Sequence, residues 1–326
     1  MSKKNKSTPI EEEAAAFDKR MTERSSAGFI PDLRDAVKCD YFYKSFFRDP
    51  YFMKLYQGQM TDLFVNGLEK HKGKKLTILD VGCGPGLSTL EIARNGHNVT
   101  AIDISEKSIE LAKKALANNR YKKNFGLLNY QVLPFEEVKG KFDAIIFSGA
   151  LHHFPNLKDV VKKSVTLLNK DGILLCYEPW HEKWRKQDAA QVALFRMILS
   201  ITGFWYEKNL FKNTKNKPKM FDEYVDDIHL EYVSEKDKNE PDGQSPNDNA
   251  ASGDEIIKCL NKYFVQKELK SGFSFIYRFL GGMRGSDEIL HRLADLFTVY
   301  DQYAVENGWM NSNAFFYIGT KNNIQK

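Results

Sequence analysis

Apolar and polar positions between residues 76 and 178 follow two rhythms in turn. LTILDVG (76–82) is a short apolar run ending in glycine, and LSTLEIARNG (87–96) repeats apolar positions at helical spacing before a glycine stop. NVTAIDI (98–104) reads as a second strand. SEKSIELAKKALANN (105–119) reads as a helix, with Ser105 as N-cap and Ile109, Ala112 and Leu116 on one face. LLNYQVL (127–133), FDAIIFSG (142–149), a helix around VVKKSVTLL (160–168) and the strand GILLCYE (172–178) continue the series. Strand and helix in alternation are the signature of a parallel sheet, so the expected fold is a doubly wound α/β domain.

The flanks break this rhythm. Residues 1–16 are polar and predict a flexible arm, whereas 17–70 predict a helical cap with eight aromatic rings between Tyr41 and Tyr56. The basic run at 70–75 reads as a solvated connection in which Gly73 stops a helix. The core is expected over 71–179, followed by an insertion or lid over 180–253 whose polar segment from Glu235 to Gly253 cannot form a core. Residues 254–326 are expected to rejoin the sheet through a helix at 254–263, a strand pair in VQKELKSGFSFIYRF, the helix SDEILHRLADLFTVYDQYAV and a final strand at 314–321.

Composition narrows the function. Lys and Arg number 48 against 43 Asp and Glu, and a net charge of +5 over 326 residues gives no strong field for a nucleic-acid backbone. Four cysteines, at 39, 83, 176 and 259, form no Cys-x-x-Cys pair, which fits a reducing compartment and makes a structural zinc site an unneeded assumption. The start carries no apolar signal segment and no window resembles a membrane span, so a soluble, cytoplasmic protein is expected.

The sharpest chemical signal is ILDVGCGPG, where Asp80, Gly82, Gly84 and Gly86 end the first strand and a helix follows at once. Glycines at such a turn let the backbone approach a ligand at the strand's carboxyl end. A dinucleotide fingerprint needs its third glycine one residue later, at the position of Leu87. Asp103, 21 residues after Gly82, ends the second strand and can accept two ribose hydroxyls. No phosphate-loop lysine is present. A nucleoside cofactor without a phosphate fits this set. His152 and His153 follow the fourth strand, where a general base would stand, and Glu178 ends the fifth. No helical histidine pair or other metal-ligand spacing is visible among His152, His153, Glu178 and His181, so no metal is expected.

On these residues, 76–178 resemble the class I S-adenosylmethionine-dependent methyltransferases, within the group that includes ubiquinone and small-molecule methyltransferases. The resemblance implies a mostly parallel, seven-stranded, Rossmann-like sheet whose last strand runs antiparallel beside the fifth. It implies S-adenosyl-L-methionine as cofactor, lined by Asp80, Gly82, Cys83, Gly84, Gly86, Asp103, Ile104, Ser148 and Gly149. Asn129, or less well Gln131, would meet the adenine amine. His153, His152 and Glu178 are the catalytic candidates, with positioning of the cofactor as the alternative role for the histidines. The expected partner is a small-molecule acceptor. Tyr43, Tyr51 and Tyr56 are candidate pocket walls, and Trp180, Trp184, Phe204, Trp205 and Tyr206 either line an acceptor pocket or pack the insertion onto the sheet. A nucleic-acid methyltransferase and a nicotinamide-dependent oxidoreductase are the competing enzymes. The first lacks the Asn/Asp-Pro-Pro-aromatic sequence after the fourth strand, and the second lacks the later glycine.

Overall fold

A computed structural model describes residues 8–40, 45–70, 75–212, 215–234 and 245–322. Tyr43, Gly73 and most of the polar segment after residue 234 lie outside the described residues.

Helix α1 (Pro9–Ser26) begins earlier than the expected arm allows. Thr8 and Glu11 form a reciprocal capping box, which satisfies the first free N–H groups, so residues 9–16 are helical and not a loose arm. Glu13 and Met21 are the buried positions of this polar helix. The carboxylate of Asp18 accepts from the Ser105 hydroxyl at 2.6 Å and the Lys107 N–H at 2.9 Å, which seats α1 on the start of a core helix. Beyond α1, Asp32 takes a bidentate pair of bonds from the buried Arg94 guanidinium, both at 2.7 Å. The N-terminal region is thereby fixed to the core.

A short helix α2 (Pro50–Met53) runs through a π-turn at Lys54–Gly58 into α3 (Gln59–Glu69). The core then alternates as its pattern predicts: β1 (Thr77–Val81), α4 (Leu87–Arg94), β2 (Asn98–Asp103), α5 (Glu106–Asn118), β3 (Leu128–Val132), β4 (Phe142–Ser148), α6 (Leu157–Leu167) and β5 (Leu168–Pro179). Ser105 caps α5 by accepting from Ser108 N–H at 3.0 Å. The insertion folds as α7 (Lys186–Ile201) and α8 (Lys217–Ser234), and α9 (Gly253–Tyr263), β6 (Phe264–Ser271), α10 (Ile276–Phe279), α11 (Asp287–Glu306) and β7 (Ala314–Lys321) complete the chain. Among the described residues, no helix is long and apolar enough to cross a membrane.

The strands form one seven-stranded sheet in the order β3-β2-β1-β4-β5-β7-β6. β7 is antiparallel to both β5 and β6, and the other pairs are parallel. The strand pair expected in 265–279 is instead one strand and a helix. Asp301 on α11 accepts the N–H groups of Ser274, Phe275 and Ile276 at 2.7, 2.6 and 3.0 Å, which turns the backbone out of extended geometry and starts α10.

Alternation along the strands divides the core. Ile78, Ala101, Ile146, Leu175 and Phe316 meet Phe64, Ile92 and Ile109 from α3, α4 and α5 on one face. Leu79, Ile102, Ile145, Leu174 and Phe315 meet Val160, Leu167 and Leu260 from α6 and α9 on the other. A third cluster joins cap and insertion, with Phe46 and Phe52 packed among Trp184, Trp205, Tyr232, Phe275 and Phe279. These two segments form one roof over the carboxyl ends of the strands.

Candidate active site

Under that roof lies a cavity of about 700 Å³, reached by the carboxyl ends of β1, β2, β4 and β5. Its lining includes Asp80, Gly82, Cys83, Gly84, Asp103, Ile104, Ser148, Gly149, His152, His153 and Glu178, so most of the residues singled out in the sequence come together. A crevice there follows from the topology: β1 and β4 are neighbours whose connections leave in opposite directions, which opens the sheet's end between them.

Asp80 is 2% exposed, and one oxygen accepts the Thr89 hydroxyl at 2.5 Å. Its other oxygen, Oδ1, has no hydrogen-bond partner among the described residues. Burial pushes its carboxyl up to about 6. A buried carboxylate oxygen without a donor is costly, so this position suits a ligand N–H or ammonium group.

The glycine turn holds the next acid. Gly84 N–H donates to Asp103 Oδ2 at 2.8 Å, and Ser105 N–H donates to Oδ1 at 2.8 Å. Gly84 has φ +52°, and a Cβ there would meet nothing within 4 Å, which leaves a cradle open at the cavity wall. Burial raises the Asp103 pKa, against the pull of its two N–H donors. Each oxygen of Asp103 keeps a second lone pair for an outside hydroxyl. Gly86 differs from its neighbours in the motif. It sits outside the cavity lining, at the N-cap of α4 with φ +84°, and a Cβ there would overlap the Tyr130 hydroxyl.

At the end of β5, Glu178 is fully buried and accepts from Ala150 N–H at 3.0 Å, Leu151 N–H at 2.9 Å and His152 Nδ1 at 2.8 Å, all in the turn after β4. Its carboxylate is thus committed to the turn that carries the histidines. The His153 ring lies 4.1 Å from that of His152. His153 Nδ1 is 3.0 Å from Glu13 and 3.2 Å from the Ser245 hydroxyl. Burial lowers its pKa, but Glu13, Asp248 and Glu178 outweigh burial and the net shift is upward.

Two expected adenine contacts do not reach the cavity. Asn129 pairs with Thr100 and Gln131 with Ile102 in mid-strand, and neither lines it. The chain enters the cavity only after β3 ends, through Leu133, Pro134, Phe135 and Glu136. Of the candidate wall tyrosines, Tyr56 lines the cavity beside Phe273 and Tyr277, with ring centroids 5.8 and 5.9 Å away. Tyr51 turns outward, stacked on His291 at 4.0 Å and donating to Asp295 at 2.7 Å. Trp180, Trp184, Phe204, Trp205 and Tyr206 stay out of the cavity. Trp184 stacks on Tyr232 at 4.3 Å and donates its indole N–H to Ser274, and Phe204, Trp205 and Tyr206 pack in the same roof cluster, whereas Trp180 packs edge-on to Phe315 of the sheet and donates to Asp254. Sequence reasoning missed Glu13, Phe17 and Arg20 of α1, which also line the cavity. The capping-box spacing of Thr8 and Glu11 was the available signal for that helix.

A family model described as a methyltransferase domain matches residues 72–241. The ubiquinone biosynthesis O-methyltransferase of Pelagibacter ubique (strain HTCC1062) is 35% identical over 101 residues, covering 31% of this chain and 41% of the relative. Its counterpart in Rickettsia akari (strain Hartford) is 30% identical over 160 residues, covering 48% of this chain and 59% of the relative. The chain thus aligns with 41% and 59% of the lengths of these two curated relatives. Among solved structures, magnesium protoporphyrin IX methyltransferase from Synechocystis PCC 6803 with bound SAH has a TM-score of 0.50 at 14% identity, over 95% of this chain and 97% of that one. The cyclase SpnF has a TM-score of 0.50 at 11% identity over 96% of each chain. These two likenesses establish a shared fold, and the matched domain establishes the family: the chain belongs to the class I S-adenosylmethionine-dependent methyltransferases.

Proposed function

We propose that this chain methylates a small-molecule acceptor, with S-adenosylmethionine as methyl donor. The observation that carries the reading is the buried, unpartnered Asp80 Oδ1 in the same cavity as the Gly84 cradle and Asp103. In this reading Asp80 holds the amino group of the cofactor's methionine end, the turn at Gly82, Cys83 and Gly84 lies along its chain, and Asp103 takes the ribose hydroxyls. Ile104, Ser148 and Gly149 complete the walls, and Leu133 to Glu136 replace Asn129 and Gln131 as the adenine-side segment. Gly86 shapes the turn from behind. When bound, the cofactor supplies an electrophilic methyl group on sulfur.

The acceptor side follows from the sheet order. The cofactor residues stand at the ends of β1 and β2, while the ends of β5 and β7 supply Tyr177, Pro179 and Ala314 to the cavity, faced by Tyr56, Phe273 and Tyr277. That wall favours an acceptor with an aromatic or apolar body. His153 follows β4, between the two sides, and is placed to take a proton from the acceptor's hydroxyl or amine at its free nitrogen. Glu178 and His152 hold the turn that carries it. A largely apolar acceptor wall aligns the nucleophile with the methyl group, and such alignment supplies much of the rate in a displacement reaction. The relatives named as ubiquinone biosynthesis O-methyltransferases support an oxygen nucleophile.

Calorimetry with S-adenosylmethionine and S-adenosylhomocysteine tests the cofactor assignment, and a screen of phenolic acceptors read by methyl transfer tests the reaction. Failure to bind either nucleoside would end the reading.

A further inference from the structure

Glu13 sits in a segment whose sequence suggests only a charged tail. In the structure it is 4% exposed and gathers three donors, from the turn after β4 and from the segment after residue 245. Its Oε1 lies 3.0 Å from His153 Nδ1 and accepts the Ser245 hydroxyl at 2.5 Å, and its Oε2 accepts Asn247 N–H at 2.9 Å. One turn further along α1, the Phe17 ring stands edge-on to His153 with centroids 5.3 Å apart. The imidazole is thus held between Phe17 and His152, with its Nδ1 against a carboxylate.

We propose that Glu13 is the positioning residue for His153, fixing the neutral tautomer that carries its proton on Nδ1 and keeps Nε2 as the basic atom. The inference deepens the proposed methyl transfer and rests on it. An ionised carboxylate has no proton to donate, so the ring nitrogen that faces it must be the donor. As the acceptor's oxygen or nitrogen bonds the methyl carbon, the carbon–sulfur bond breaks with its electron pair going to sulfur and S-adenosylhomocysteine leaving. The proton of the acceptor's hydroxyl or amine passes to Nε2, and the imidazolium so formed is stabilised by the charge on Glu13. The proton leaves to water after the product does. α1 is therefore part of the chemistry: undocking it removes the partner of the base.

The charged and titratable groups facing His153 are Glu13 from α1, Asp248 from the segment after residue 245, Glu178 from β5, Asp103 from β2 and its neighbour His152. Glu13 is the group among them that bonds its Nδ1. Removing that charge lowers the stability of the imidazolium, so the ring titrates at lower pH.

The test is Glu13→Gln in the full chain, read first by NMR of the ring-labelled histidines without cofactor. The expected result is a fall of about one pH unit or more in the His153 titration and loss of the single-tautomer nitrogen pattern. In turnover, the acid limb of the kcat profile moves the same way and the plateau drops by about 10- to 100-fold, while S-adenosylhomocysteine binding is kept. Glu13→Ala should act alike; if it fails to fold, the Gln variant and the wild-type tautomer assignment still decide. A folded Gln variant with an unmoved His153 titration and acid limb overturns the proposal. So does a divalent cation found bound by His152, His153 and Asp248, whose donor atoms lie within 4.8 Å of one another, since it would occupy the lone pair. If the wild type ignores S-adenosylhomocysteine, the methyl-transfer reading fails, and the titration still reports on Glu13 separately.

Discussion

Replacing Asp103 by alanine separates the cofactor assignment from the fold. Each carboxylate oxygen already accepts one backbone N–H at 2.8 Å, from Gly84 and from Ser105, and keeps one site for a ribose hydroxyl. Two hydrogen bonds to a charged acceptor are worth roughly 1.5–3 kcal/mol each, so their loss corresponds to about 3–6 kcal/mol, or two to four orders of magnitude in affinity. The lower end is the better expectation, because water can enter the vacated space and rescue the two N–H groups. Calorimetry with S-adenosylhomocysteine gives the Kd, and a circular dichroism melt verifies the fold. Asn129→Ala is the matched control: Asn129 is exposed on β3, outside the cavity, and its loss should leave Kd unchanged. A folded Asp103→Ala protein whose Kd stays within about threefold of wild type, under ~0.7 kcal/mol, would refute the ribose assignment.

Gly84→Ala and Gly86→Ala should fail in opposite ways. The first adds a methyl group to open space beside the cavity and should weaken cofactor binding with a modest fall in Tm, whereas the second meets Tyr130 and should cost about 2–4 kcal/mol of stability by chemical denaturation. Asp80 has its carboxyl raised to about 6, and an ammonium ligand needs it ionised, so Kd should be flat above that pH and rise by about tenfold per unit below it. Asp80→Asn should remove that component of the profile; equal wild-type affinities at pH 5 and 8 would sink the assignment. Asp301→Ala leaves the N–H groups of Ser274, Phe275 and Ile276 without their acceptor and should destabilise the protein by about 2–5 kcal/mol, read as a lower denaturant midpoint.

The core and most of the residues that line the cavity were legible because their signals are local. Period-two strands, a glycine turn and an N-cap serine each state their role within a few positions, and β1, β2 and α5 form where those patterns lie. What was lost depends on distant partners. Asn129 has a suitable side chain, but mid-strand pairing with Thr100 keeps it from the cavity. For Trp184 and Trp205 the sequence leaves a pocket wall and a packing role both open, and Phe52, Tyr232 and Phe275, distant in the chain, decide for packing. Glu13 gave no hint of burial, since its partners lie 140 and 232 residues further along the chain. The second strand assumed after residue 271 failed because a carboxylate on α11 captures its backbone.

The sheet order carries a consequence for biosynthesis. β7 fills the slot between β5 and β6, with ladders on both sides, and of the seven strands of this sheet it is the last to be synthesised. Until it arrives, the nascent polypeptide exposes two raw strand borders, and both faces of the sheet lack the side chains of Phe315, Phe316, Tyr317 and Ile318. Molecules halted before residue 314 should therefore be sticky clients of chaperones and not slightly shortened enzymes.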